Sequence, residues 1–172
     1  MGILYTKHNM ENIKEKIKDN IIDLISVSSS GRLIILKPEK KVFGEDLSVS
    51  KRADYNEKNI LIKIISLIGP SDNAVLQKDF SQEDIKSDDD FYFIFVYFDI
   101  IRQKMGDYVW MMPSLKLKEL AKQDNLKNNN NIFAVKILLD NKEKNKYSEF
   151  SIPVKKLGKF ILDLLNSKKT KK

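Results

Sequence analysis

Lys63 is the residue whose surroundings most invite chemistry. It lies in Ile60–Leu67 (ILIKIISL), a β-branched run suited to a central strand, where alternate side chains share a face. One face holds Ile60, Ile62, Ile64 and Ser66; the other holds Leu61, Lys63, Ile65 and Leu67. An ammonium among apolar neighbours needs a carboxylate partner, a route to the sheet edge, or a lowered pKa. The preceding run Glu45–Arg52 (EDLSVSKR) alternates strictly, with Leu47 and Val49 on one face and Asp46, Ser48 and Ser50 on the other. A hairpin of the two segments would bring Asp46 toward Lys63. Two readings follow. In the commoner one the pair is a structural ion pair. In the other, Asp46 binds a divalent metal and Lys63 orients an attacking water.

Composition removes most other chemistries. There is no cysteine, which excludes disulfides, zinc ribbons and thiolate catalysis. His8 is the sole histidine, so histidine-rich zinc sites are excluded as well. The 31 basic residues outnumber 24 acidic ones for a net charge of +7, yet Lys168, Lys169, Lys171 and Lys172 alone supply four of those charges. Only Arg32, Arg52 and Arg102 are arginines, the side chain that forks onto phosphate or guanine. This balance allows a polyanion binder and argues against a dedicated sequence reader. The greasiest runs, Ile60–Ile68 and Phe91–Ile101, are interrupted by Lys63 and Asp99 and fall well short of the about 20 apolar residues of a membrane helix. The expectation is a soluble, cytoplasmic protein without a membrane partner.

The elements that must position these residues follow from periodicity. Ile13, Ile17, Ile21, Leu24 and Ile25 recur at helical spacing, which predicts an amphipathic helix over 10–26, capped by Asn9 and ended by Ser28–Gly31. Strands are expected at Arg32–Lys37, Glu45–Arg52 and Ile60–Leu67, and then a helical turn or two around Ala74–Phe80. Phe91–Asp99 (FYFIFVYFD) is the clearest strand, preceded by the acidic guard Asp88–Asp90 and followed by Tyr108–Met112. Its aromatics and Trp110 read as core. A helix capped by Ser114 turns Leu117, Leu120 and Ala121 inward. Ile132–Leu139 and Tyr147–Ile152 read as a hairpin, and Val154–Leu165 as a closing amphipathic helix. Without repeats or a biased linker, residues 1–166 form one α+β domain around a mixed sheet flanked by helices, and 167–172 a disordered lysine-rich tail.

The order of helix, short strand, Phe43-Gly44-Glu45-Asp46-Leu47, turn, and Ile60-Leu61-Ile62-Lys63-Ile64 resembles the core of the restriction-endonuclease-like (PD-(D/E)XK) nuclease superfamily. The resemblance covers roughly residues 10–122. It implies a restriction-endonuclease-like fold, a metal-binding Asp46, a catalytic role for Lys63, and Mg2+ as the cofactor of an active site. The family's helical glutamate could correspond to Glu15, one of several charged residues in that helix. The family also places an acid or glutamine two residues before its lysine. If Lys63 matches that lysine, Leu61 stands at the acid position; if Lys63 matches the acid position, Ile65 stands at the lysine. Neither aliphatic side chain can bind a hard cation. The resemblance therefore implies a degenerate site that binds DNA or RNA without cutting it and needs no cofactor. The alternative is a protein-interaction or assembly subunit, with a protein partner or a second copy of the chain, in which the Asp46–Lys63 pair is structural.

Overall fold

The computed structural model describes residues 7–41, 44–54, 58–70, 75–81, 83–86, 88–124, 132–138 and 146–168. Among them run α1 (Lys7–Ser28), β1 (Leu33–Leu36), β2 (Leu47–Lys51), β3 (Asn59–Gly69), β4 (Val75–Ser81), β5 (Phe91–Asp99), β6 (Lys104–Pro113), α2 (Ser114–Asp124), β7 (Ile132–Leu138), β8 (Ser151–Pro153) and α3 (Leu157–Ser167). Six strands form one mixed sheet in the order β1-β2-β3-β5-β6-β8. Only β3 and β5 pair in parallel, with Lys63 beside Phe93; the other neighbours are antiparallel.

All nine residues of β5 are buried, as an unbroken apolar strand in the middle of a sheet requires. Both sheet faces must then be covered. On one, Ile60, Ile62, Ile64, Ile94 and Val96 meet Ile17, Ile21 and Ile25 of α1 and Leu157, Ile161 and Leu165 of α3. On the other, Phe91, Phe93 and Phe95 meet Phe80, Val135, Ile137, Leu117 and Ala121. Phe80 stands edge-on to Phe93 and Phe95, at centroid distances of 5.8 and 6.0 Å. The aromatic run and Trp110 are therefore core, as expected.

The adjacent antiparallel pairing of β2 and β3, with α1 on one face, agrees with the sequence pattern. Two expectations of pairing do not hold. Residues 75–80 are not helical: β4 pairs antiparallel with β7 in a second, two-stranded sheet. The expected hairpin of Ile132–Leu139 with Tyr147–Ile152 does not form either; β7 is taken by β4, and Ser151–Pro153 joins β6. The cause is shared, since Phe80, Val135 and Ile137 together close the aromatic face of β5. The expected Asp140–Asn145 turn lies outside the described residues, as do residues 169–172 of the tail; Ser167 and Lys168 continue and cap α3. Helix α1 begins at Lys7, before Asn9, and Ser114 is the first residue of α2, its buried hydroxyl making no hydrogen bond among the described residues.

Helix α1 ends through left-handed Ser30 and Gly31 (φ 55° and 68°), with the Gly31 amide donating to the Ser26 carbonyl. At that end it meets the start of α3. The Gly158 amide donates to the Ser28 hydroxyl at 2.8 Å. A Cβ on Gly158 would lie 2.1 Å from the Ile25 carbonyl oxygen and 2.7 Å from the Ser29 amide nitrogen, backbone atoms that cannot step aside. Gly158→Ala is expected to cost about 3 kcal/mol or more, above the usual overpacking penalty, read as a lowered urea midpoint.

Candidate functional site

The chain enters β2 through Gly44, whose φ of 76° is cheap only for glycine. The turn carries Asp46 off the regular ladder. Its amide donates to the Ile62 carbonyl at 2.7 Å, and its Oδ2 accepts the Ile64 amide at 2.8 Å. The carboxylate thus does for β3 what the carbonyl of a longer β2 would have done, satisfying an amide that would otherwise be buried unpaired. The side chain is only 4% exposed, so its charge needs a counter-charge.

That counter-charge is not Lys63. Asp46 Oδ1 lies 3.3 Å from Lys18 Nζ of α1 and 3.3 Å from Lys41 Nζ. Lys18 in turn reaches Glu15 Oε1 at 2.8 Å. One ammonium therefore bridges Glu15 and Asp46, the second of which the nuclease resemblance assigns to a metal. Partial burial pushes the Lys18 ammonium toward losing its proton, but Glu15 and Asp46 together outweigh it and hold its pKa above the usual lysine value.

Lys63 points to the other face of the sheet. It is half-buried, and its Nζ donates to the Gly44 carbonyl at 2.5 Å. Among the described residues no acidic side chain forms an ion pair with it. The expected Asp46–Lys63 pair is thus replaced by two separate contacts: Asp46 with α1, and Lys63 with the backbone two residues before Asp46. The reason is that Asp46 has left the strand, so alternation no longer sets its direction. Phe43 lies outside the described residues.

Lys63 faces a cleft of about 340 Å3 that is also lined by Lys78, Glu83 and Asp84, over Phe91 and Phe93. The Ser81 hydroxyl and amide both donate to Asp84 Oδ2, and these bonds, with the charges of Lys78 and Lys63, hold the Asp84 carboxyl below its usual pKa. The acidic guard before β5 is a structured turn: Asp88 Oδ1 accepts the Asp90 amide, and Lys168 reaches the Asp89 carbonyl and the Asp90 carboxylate. Lys18, Lys41 and Lys78 carry no mark in the sequence that sets them apart. Lys18 has the same surroundings there as Lys14 and Lys16, so only the packing of α1 identifies it.

A divalent metal does not fit the residues around Asp46. Both of its oxygens are occupied, Leu61 and Ile65 offer no ligand, and no cluster of three or more Asp, Glu, His or Cys suited to a metal occurs among the described residues.

The fold defined by these elements is α+β with a mixed six-stranded sheet flanked by helices. A solved structure of a bacterial homing endonuclease, I-Ssp6803I, is similar to it with a TM-score of 0.54 and 11% identity, covering 100% of each chain. That likeness is one of fold. No protein-family model and no curated protein matches the sequence. No helix among the described residues is long and apolar enough to cross a membrane.

The contacts set an order of sensitivity. Lys63→Met should shift stability by less than about 1.5 kcal/mol, because cleft water can replace its bond to Gly44. Lys18→Met with Lys41→Met strands the Asp46 carboxylate and should cost about 3 kcal/mol, near the lower end for a broken buried pair. Urea melts of the two variants check this ranking. The sign for pH follows from the raised Lys18 pKa: its contribution is complete below the unfolded-state value and is lost as pH climbs through the folded one. The gap between wild type and the double variant should therefore hold at neutral pH and narrow in strong alkali.

Proposed function

We propose that this chain is a nucleic-acid-binding domain of nuclease-like fold whose metal site has given way to a lysine–carboxylate cluster, so that it binds DNA or RNA without cleaving it. The observation that carries the reading is the Lys18 ammonium between Glu15 and Asp46. It occupies the side of Asp46 on which a cation would have to sit, and Lys41 adds a second positive charge there. The fold likeness to a homing endonuclease supports the nucleic-acid half of the reading. Phosphate contacts would come from lysines, which suits backbone attraction without base readout. Lys63 and Lys78 line one cleft and would make them, against the opposing charge of Asp79, Glu83 and Asp84 in the same cleft.

A second reading, an assembly subunit that binds no nucleic acid, is favoured by one observation, the exposed Phe160 on α3. Filter binding of a mixed-sequence duplex and of single-stranded RNA across a salt series separates the two. A nucleic-acid binder loses affinity steeply as salt rises. Lys63→Met with Lys78→Met should weaken binding evenly across sequences and flatten the log–log salt slope by about one unit for each phosphate that is no longer neutralised. Absence of binding at low salt sinks the proposal in favour of the assembly reading.

Catalysis is tested separately. With magnesium or manganese, supercoiled plasmid should stay supercoiled, and Asp46→Ala should leave that result unchanged. Nicking that disappears in Asp46→Ala would mean that the lysines move aside and that the metal reading of Asp46 is right.

A further inference from the structure

Helix α3 has two faces with different fates. Leu157, Ile161, Leu162 and Leu165 are buried against the sheet and α1. Lys156, Lys159, Phe160 and Asp163 recur at the spacing that puts them on one outward stripe. Phe160 is 42% exposed. With Met111, Phe150, Ile152 and Pro153 it lines a groove of about 410 Å3 between α3 and the edge strand β8. None of Lys156, Lys159 and Asp163 has an ion pair among the described residues. A large aromatic beside an apolar groove, set between unpaired charges of both signs, has the make-up of an interface.

We infer that this face is a homodimer interface, in which two copies pack α3 against α3, antiparallel, about a twofold axis passing between Lys159 and Phe160. The charge pattern selects this occupant. The groove carries two bases, Lys156 and Lys159, and two acids, Glu149 and Asp163, so a partner of one charge sign would leave half of them opposed. A second copy carries the same pattern. Antiparallel packing about that axis sets Lys156 against Asp163 of the second copy at both ends of the contact. It sets each Lys159 against the opposite Phe160, a cation–π arrangement, and each Phe160 ring at the mouth of the other copy's groove. Parallel packing would instead oppose like charges. The interface is isologous, so it closes at two copies. An 11-residue helix spans only about 16 Å, which makes this a small contact and a reversible, concentration-dependent dimer.

Sedimentation velocity of the full chain from about 1 to about 300 µM, the range in which weak dimers titrate, is the test. The expected result is a monomer–dimer equilibrium that F160E shifts to monomer at every concentration. K156D and D163K each create two like-charge pairs and should each raise Kd by at least about tenfold, whereas K156D/D163K together restore both pairs and return Kd to within about threefold of wild type. That rescue is a readout that loss of structure cannot mimic. If F160E fails to fold by circular dichroism, the three charge variants decide alone. A chain that stays monomeric at all concentrations overturns the inference, and a peptide or amphiphile as the groove's occupant would give that outcome. So does a dimer indifferent to F160E, or a double charge variant no tighter than the singles.

Discussion

Strand β5 is apolar on both sides from Phe91 to Phe98 and buried throughout, and nearly everything else in the molecule answers to that. A strand with no polar face cannot lie on the surface or at an edge, so it needs a strand on each side and a layer over each face. Strands β3 and β6 supply the first, the α1/α3 pair and the β4–β7 ribbon with α2 supply the second. The parallel pairing with β3 follows, because the chain leaving β3 must cross the aromatic face before returning as β5. That crossing carries β4 and the Ser81–Asp84 turn to the rim of the cleft that Lys63 faces. The cleft is a by-product of covering β5.

The Asp46 cluster answers to a different constraint. Strand β2 is shorter than β3, so the amide of Ile64 has no backbone acceptor from β2 and takes a carboxylate in its place. A buried carboxylate then requires positive charge, and α1, already fixed by its isoleucine stripe, brings Lys18 there. Ion pairs in this setting contribute little net stability over an apolar alternative, but each member becomes indispensable to the others. This is the physical sense in which Asp46 is tied to the fold.

What is legible in the sequence divides along the same line. Period and strand patterning place α1, β2, β3, β5, β6, α2 and α3 and assign the aromatics to the core, because those segments bury one face or both by simple alternation. Segment 75–80 and the partner of Ile132–Leu138 are not legible in that way, since pairing between strands far apart in the chain leaves no local mark. At the site, Asp46 and Lys63 stand out as polar residues in apolar surroundings. Their separation does not, because alternation holds only while the chain stays in the ladder and Gly44 takes it out. Lys18 and Lys41 are invisible among so many lysines until α1 has a position.

The close crossing of α1 and α3 bears on how the molecule comes together in time. Gly158 and Ser28 are 130 residues apart, and the apolar stripe of α1 is covered in part by α3. During synthesis α1 emerges ahead of α3, and the helix that completes its shelter appears only after some 130 further residues, several seconds or more at ordinary ribosomal speeds. Closing a loop of that length costs about 4 kcal/mol of chain entropy. On the ribosome that docking can come only late. Until it happens, the outer side of α1 is a sticky surface, and a nascent chain of this fold would be a natural client for chaperones that hold exposed isoleucine-rich helices.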